Sequence, residues 1–266
     1  MRKPLKILFF LLIALSANAQ HLTHDIGIFA GTATLQTDYG QRGNFLSSYG
    51  NSALSFSLVH YLHFFNTDTR WNSEDDISNH LMLKTEFNIM TKANFQHHGI
   101  YTEGNSNSAI LLRAMKGTVS MLNFGVQGEY YLKDLKDFMF PYSEIKWNPY
   151  LSLGFKYSSY KNTLTTSGTE DWRNNTQLLP TKYRTPGNLA VGNGGVFSFI
   201  LGVGTRYKLT KKLDLAANFN WQYFFSDAVD GLQADVIENK KNEWLIHLQM
   251  GVIYHLNFAG GIFCKK

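Results

Sequence analysis

From residue 81 to residue 95 the sequence alternates with a period of two. Leu81, Leu83, Thr85, Phe87, Ile89, Thr91, Ala93 and Phe95 fall on one side, and Met82, Lys84, Glu86, Asn88, Met90, Lys92 and Asn94 on the other. Successive side chains of a β-strand point to opposite faces, so this segment reads as a strand with one apolar and one mostly polar face. It is also long, because strands in globular proteins usually run to about 5–6 residues. The pattern recurs at 24–32, 54–64, 122–132, 151–157, 197–209, 213–225 and 244–258, which makes eight segments. Apart from residues 7–15, no apolar run is long enough to cross a bilayer as a helix.

Eight long one-faced strands can pack in two ways. A soluble barrel or sandwich turns the apolar faces inward, whereas an outer-membrane barrel turns them outward to lipid. The polar faces separate the two. They carry Ser, Gly, Asn and Gln with a few charges of both signs, for example Asn123, Gly125, Gln127 and Glu129, or Ser152, Gly154, Lys156 and Ser158. That composition suits a crowded lumen, while a water-facing surface carries more Lys and Glu. About 10 residues tilted near 45° also cross a hydrocarbon core. The expected fold is an eight-stranded antiparallel transmembrane β-barrel of outer-membrane, OmpA/OmpX-like type, with outer-membrane lipid and lipopolysaccharide as its surroundings and the bacterial outer membrane as its location.

Aromatic residues agree with this orientation, since Trp and Tyr collect at membrane interfaces. Phe64, Phe65, Trp147, Trp221, Tyr223, Phe225, Trp244 and Phe258 all fall near strand ends and read as an aromatic girdle. With the amino terminus in the periplasm, the outer loops are 33–51, 96–117, 161–195 and 226–242. The inner turns are 66–77, 133–146 and Thr210-Lys211-Lys212. Each outer loop then exceeds every inner turn, and 132–140 could form a short amphipathic segment in the second of these turns.

The amino terminus reads as a processing signal. Arg2, Lys3 and Lys6 precede an apolar stretch at 7–15 and an Ala17-Asn18-Ala19 cleavage site, so 1–19 is expected to be removed and 20–266 to form one barrel domain. Removing those three cations takes Lys plus Arg from 25 to 22 against 20 Asp plus Glu, and the formal charge from +5 to +2. No basic cluster remains, so nucleic acid is not an expected partner. Cys264 is the single cysteine and can form no intrachain disulfide.

Eight strands enclose just enough room for side chains to fill the interior. Lys84, Glu86, Lys92, Glu129, Lys156, Arg206 and Asp214 would all project into it. Buried charges must pair, so the expected interior is a salt-bridged plug rather than an open pore.

The search for chemistry is otherwise negative, and no enzymatic activity, cofactor or metal is expected. Gly202-Val203-Gly204-Thr205-Arg206-Tyr207 begins like a dinucleotide-binding fingerprint, but it has Tyr207 at the third glycine position and lies inside a strand pattern. His60 and His63 are three apart and would face opposite sides of a strand, so they cannot share a metal. His97-His98 reads as part of a solvated loop, and His24 has no partner in spacing. The loop pair Asp227 and Asp230, followed by Gly231, could bind a cation or form an Asx turn, with the turn the simpler reading.

Several segments carry a resemblance. Gly251-Val252-Ile253-Tyr254-His255-Leu256 with Phe258 is similar to the carboxy-terminal signal read by the barrel-assembly machinery, although Met250 and the tail 259–266 depart from it. His24-Asp25-Ile26-Gly27-Ile28-Phe29-Ala30-Gly31, Asp38-Tyr39-Gly40, Val59-His60-Tyr61-Leu62, Arg206-Tyr207-Lys208-Leu209, Tyr223-Phe224-Phe225-Ser226-Asp227-Ala228-Val229-Asp230-Gly231-Leu232 and Asn242-Glu243-Trp244-Leu245 resemble a Bacteroidota outer-membrane barrel family without an established activity. More distantly they resemble PorG, a barrel component of the type IX secretion and gliding machinery. The resemblance implies partners in that apparatus. Three functional expectations follow: a structural or interaction barrel acting through its outer loops, a secretion component, and a small-solute channel.

Overall fold

The computed structural model describes residues 23–39, 50–64, 77–140, 142–166, 170–234 and 242–256. The signal segment, Phe65, Phe258 and Cys264 lie outside them. Eight strands form one closed barrel in which each pairs antiparallel with its sequence neighbours. They are β1 (His24–Gln36), β2 (Ser52–His63), β3 (Leu81–Gln96), β4 (Lys116–Tyr131), β5 (Trp147–Thr165), β6 (Asn193–Lys208), β7 (Leu213–Phe224) and β8 (Trp244–His255). Closure is made by β1 against β8, from Asp25↔His255 to Gln36↔Trp244. No edge strand is left open, so every strand finds hydrogen-bond partners without water.

The alternation read from the sequence sets which way each side chain points. Ile28, Phe155, Phe197 and Met250 are 66%, 61%, 65% and 72% exposed, while their neighbours Phe29, Lys156, Ser198 and Gln249 are buried inside. An apolar belt of this extent around a closed barrel is incompatible with water and complementary to acyl chains. A closed single-chain barrel with an even number of antiparallel strands and an outward apolar band is the architecture of bacterial outer-membrane proteins, and this chain has it. The 209–212 turn, the shortest connection, lies at the same rim as both ends of the described chain, which makes that rim periplasmic.

Three details depart from the sequence reading. The connection at 64–80 is longer than the outer one at 37–51, because β1 continues to Gln36, beyond its apolar alternation, while β2 ends at His63 and β3 begins at Leu81. Lys92 faces outward, not into the lumen. A register shift between Met90 and Ala93 sets both Thr91 and Lys92 opposite Ser120, and this bulge turns every later side chain of β3 to the other face. Thr91 fills the gap: its hydroxyl donates to the Leu54 carbonyl at 3.1 Å and accepts from the Leu54 N–H at 3.1 Å.

The third departure concerns the lumen as a whole. Toward the outer end the two faces exchange character. Outward positions become Thr32, Thr34, Asn94, Thr118, Lys161 and Thr163, while inward ones become Ala33, Leu35, Phe95, Val119, Met121 and Leu164. Here the strands have left the lipid, and the barrel adopts the apolar-inside arrangement of a soluble protein. The loops cover this second core with Tyr39, Leu112, Met115, Leu179, Tyr183, Val229 and Leu232.

Two short helices serve the ends. α1 (Asn107–Ala114) belongs to the outer lid and is capped by Ser106, whose hydroxyl accepts the Ala109 N–H. α2 (Leu135–Met139) lies within the 132–140 segment and begins at Asp134, whose carboxylate accepts the Asp137 N–H. α2 buries Leu135 and Phe138, and Leu135 packs with Tyr61, Tyr131 and Tyr150, which closes the periplasmic end.

Candidate functional site

Between the apolar lid and the periplasmic tyrosines lies a layer of buried charge. Lys156 Nζ is 3.0 Å from Glu86 Oε2, and Lys84 Nζ is 3.4 Å from the same oxygen and 3.8 Å from Glu129 Oε1. Glu129 also accepts the Tyr131 hydroxyl at 2.6 Å and faces Arg206 Nη2 at 3.9 Å. Arg206 reaches Asp25 at 3.3 Å and lies over the Tyr61 ring at 4.0 Å. Asp25 holds His63 at 2.7 Å and His255 at 2.8 Å, and the other nitrogen of His255 is 3.0 Å from Asp214. One chain of contacts therefore runs from Asp214 to Lys156 through the interior.

The charges in this layer balance. Lys84, Lys156 and Arg206 face the carboxylates of Glu86, Glu129 and Asp25, and His255 stands between Asp25 and the fourth carboxylate, Asp214. His255 has a carboxylate oxygen at each ring nitrogen, an arrangement that needs a donor at both positions and so an imidazolium. Neutral groups extend the network outward. Ser57 and Gln127 donate to Glu86 at 2.8 and 2.7 Å, Asn123 donates to Asn88, and Gln249 donates to Ser55 and Ser57.

Glycines make the room for these long side chains. A Cβ on Gly125 would stand 2.3 Å from Lys156 Cγ, and one on Gly204 would stand 2.3 Å from Tyr150 Cζ. Lys84, Glu86, Glu129, Lys156 and Arg206 are each at most 2% exposed, so protein fills the lumen at this level.

Of the sequence candidates, the structure brings Lys84, Glu86, Glu129, Lys156, Arg206 and Asp214 together and leaves Lys92 outside. Sequence reasoning misses Asp25, His63 and His255. Asp25 is legible in principle, because Ile26, Ile28 and Ala30 on the lipid face place it on the other. The histidines become meaningful only once Asp25 is seen between them. Spacing offers His24 no partner, but its Nδ1 lies 3.0 Å from His60 Nε2 across the β1–β2 ladder on the outer face.

The girdle residues divide between two rims. Phe64 and Trp147 are exposed at the periplasmic one; Trp221, Tyr223, Phe225 and Trp244 stand at the outer one, with Trp221–Tyr223 and Tyr223–Phe225 ring centroids 5.8 and 6.2 Å apart. Gly202 to Tyr207 lies inside β6.

The loop acids separate in role. Asp227 is half-buried, and Asp230 is fully buried in the lid. Asp230 Oδ1 accepts the Leu232 N–H at 2.8 Å around Gly231 at φ +88°, which is an Asx turn. Its other oxygen accepts the Asp38 N–H at 3.0 Å, tying two loops together. Burial, reinforced by Asp38, pushes the Asp230 carboxyl up to about 8, and burial beside Asp230 raises Glu243 as well. His97 is also in the lid rather than in solvent. It packs on Tyr39 at 4.5 Å, and burial together with Lys182 lowers its pKa to about 3. Asn162 fastens the lid from the barrel wall. Its amide nitrogen donates toward the carbonyls of Ala190, Ala228 and Val229, and its oxygen accepts the Gly192 N–H at 2.7 Å. Among the described residues no group of three or more His, Cys, Asp or Glu side chains is placed to hold a metal.

Neither family models nor curated protein sequences give a match to this chain. Among solved structures, a major outer membrane protein from Thermus thermophilus is 13% identical with a TM-score of 0.48, covering 88% of this chain and 99% of that one. Ail, the attachment invasion locus protein of Yersinia pestis, is 10% identical with a TM-score of 0.42, covering 89% and 100%. Neisserial surface protein A is 13% identical with a TM-score of 0.41, covering 88% and 97%.

Proposed function

We propose that this protein is a non-enzymatic outer-membrane barrel that works as a structural or interaction protein through its extracellular loops, without conducting solutes. The observation that carries this reading is the filled interior, in which a charge-balanced polar layer is closed by an apolar lid above and by α2 with three tyrosines below. Such a lumen offers neither a water path nor an open cavity for a substrate. The outer connections meanwhile present contact surface, with Ile100, Tyr101 and Ile110 at 59%, 65% and 49% exposure beside and on α1. Planar-bilayer recording tests the first half: the folded barrel shows no steady conductance, and a large stable one overturns the reading. Crosslinking in native membranes followed by mass spectrometry tests the second by identifying what the loops touch.

A second reading, a PorG-like component of a Bacteroidota type IX secretion or gliding machinery, is favoured by one feature. The resembling segment 223–232 supplies Val229, Asp230 and Leu232 to the lid, so the shared residues build the extracellular face. Co-purification with that apparatus, or loss of secretion on deletion, separates this reading from the first. In either case the barrel-assembly machinery would receive the chain through β8, after removal of the 1–19 signal.

A further inference from the structure

The outer face of β3, β4 and β5 changes chemistry abruptly along its length. Cross-strand rows read Phe87–Phe124–Tyr157, then Ile89–Leu122–Ser159, then Lys92 beside Ser120 and Lys161, then Asn94–Thr118–Thr163, and finally Gln96–Lys116–Thr165. Aromatic and aliphatic rows give way within one step to lysines and hydroxyls. The inner face turns apolar at the same level, so this step marks the plane where acyl chains end and lipid head groups begin.

We propose that Lys92, Lys161 and Lys116 form a binding site for the phosphate groups of the phosphorylated outer-leaflet glycolipid, lipid A. Among the described residues their charges are uncommitted. In the lumen Lys84, Lys156 and Arg206 each face a carboxylate within 4 Å, yet Lys92, Lys116 and Lys161 have no ion-pair partner among the described residues, and no Asp or Glu occupies an outward position of β3, β4 or β5. Their spacing suits a head group rather than a point anion. Lys92 and Lys161 flank β4, so their Cα atoms are separated by two inter-strand steps, roughly 10 Å. Between them Ser120, and above it the Thr118–Thr163 hydroxyl pair at 2.7 Å, supply further donors. Long lysine stems can lie on the apolar belt while the ammonium reaches the head-group layer.

The bulge at Thr91–Lys92 gives the arrangement its most specific support. A regular strand would place Lys92 beside Met90 and opposite Val119, facing the apolar outer core. The extra residue instead puts it on the lipid side, level with Lys161, and the two Thr91 hydrogen bonds to Leu54 hold the irregular backbone there.

The inference rests on the outer-membrane orientation of the barrel, and its test reports on the two separately. The full mature chain is refolded into phosphatidylcholine vesicles with diphosphoryl lipid A or with its dephosphorylated form. Barrel formation is read from the heat-dependent gel shift, and lipid retained after mild detergent extraction is counted by native mass spectrometry. Failure of the wild type to form the barrel strikes the fold reading. With a folded barrel, the wild type is expected to retain diphosphoryl lipid A selectively, and millimolar inorganic phosphate is expected not to displace it. K92Q/K116Q/K161Q should weaken retention roughly 100-fold, about fivefold per lysine, while K211Q/K212Q in the periplasmic turn leaves it unchanged. Equal retention of the dephosphorylated lipid by the wild type, displacement by inorganic phosphate, or unaltered retention by the triple variant overturns the proposal. The first two outcomes require no variant to fold.

Discussion

Lys156 and Glu86 meet at 3.0 Å inside the barrel, and both side chains are shut off from solvent. Glu86 also faces Lys84, so one carboxylate neutralises part of two buried cations. Such a pair adds little net stability over apolar packing, but breaking it leaves an uncompensated charge in a medium of low polarity. Glu86→Gln is expected to lower the unfolding free energy by about 3–5 kcal/mol, and the double variant Glu86→Gln/Lys156→Met should recover part of the loss. Urea unfolding of the refolded barrel in vesicles measures both; equal losses would show that the pair is not coupled.

Crowding at the periplasmic end gives a steric prediction. A Cβ on Gly204 would meet Tyr150 Cζ at 2.3 Å and the Ala217 carbonyl at 2.8 Å, so Gly204→Ala forces both strand and ring to move. The expected cost is about 1–3 kcal/mol, seen as a lower midpoint for the heat-dependent gel shift. Adding Tyr150→Leu should return part of it.

The lid should loosen with rising pH. Asp230 holds its proton in the folded lid up to about 8, against an ordinary value of 3.8. The folded lid therefore binds a proton that the opened lid has released over this interval, and closure weakens progressively from about pH 4 to about pH 8, then levels off. Glu243 shifts in the same direction. Amide hydrogen exchange at 225–234, corrected for intrinsic rates, should show the decline in protection, and Asp230→Asn should flatten most of it. A lid whose protection rises over that range would contradict this assignment.

Asn162 offers a test of the lid that does not involve titration. Replacing it with Ala leaves the carbonyls of Ala190, Ala228 and Val229 and the Gly192 N–H without that partner. A cost of about 1–3 kcal/mol should fall on the lid alone. Trypsin cleavage at Arg173 and Lys182 is expected to accelerate while the barrel's own unfolding changes little.

Period-two alternation by itself determined the strand count, the closed antiparallel barrel and the lipid-facing surface, because a strand's side chains have only two directions and the outward one must suit its solvent. It also placed Lys84, Glu86, Glu129, Lys156, Arg206 and Asp214 inside. The tertiary structure alone decided the rest. One inserted residue at Thr91–Lys92 reversed the faces of β3 beyond it, which a fixed alternation cannot reveal. The exchange of polar and apolar faces above Ser120 depends on where the lipid ends, a boundary set by how far all the strands extend together. Which carboxylate meets which cation depends on register between strands, as with Asp25 gathering His63, His255 and Arg206, and on loops such as 225–234 folding back over the barrel mouth. Those contacts join residues far apart in the chain, and local pattern carries no information about them.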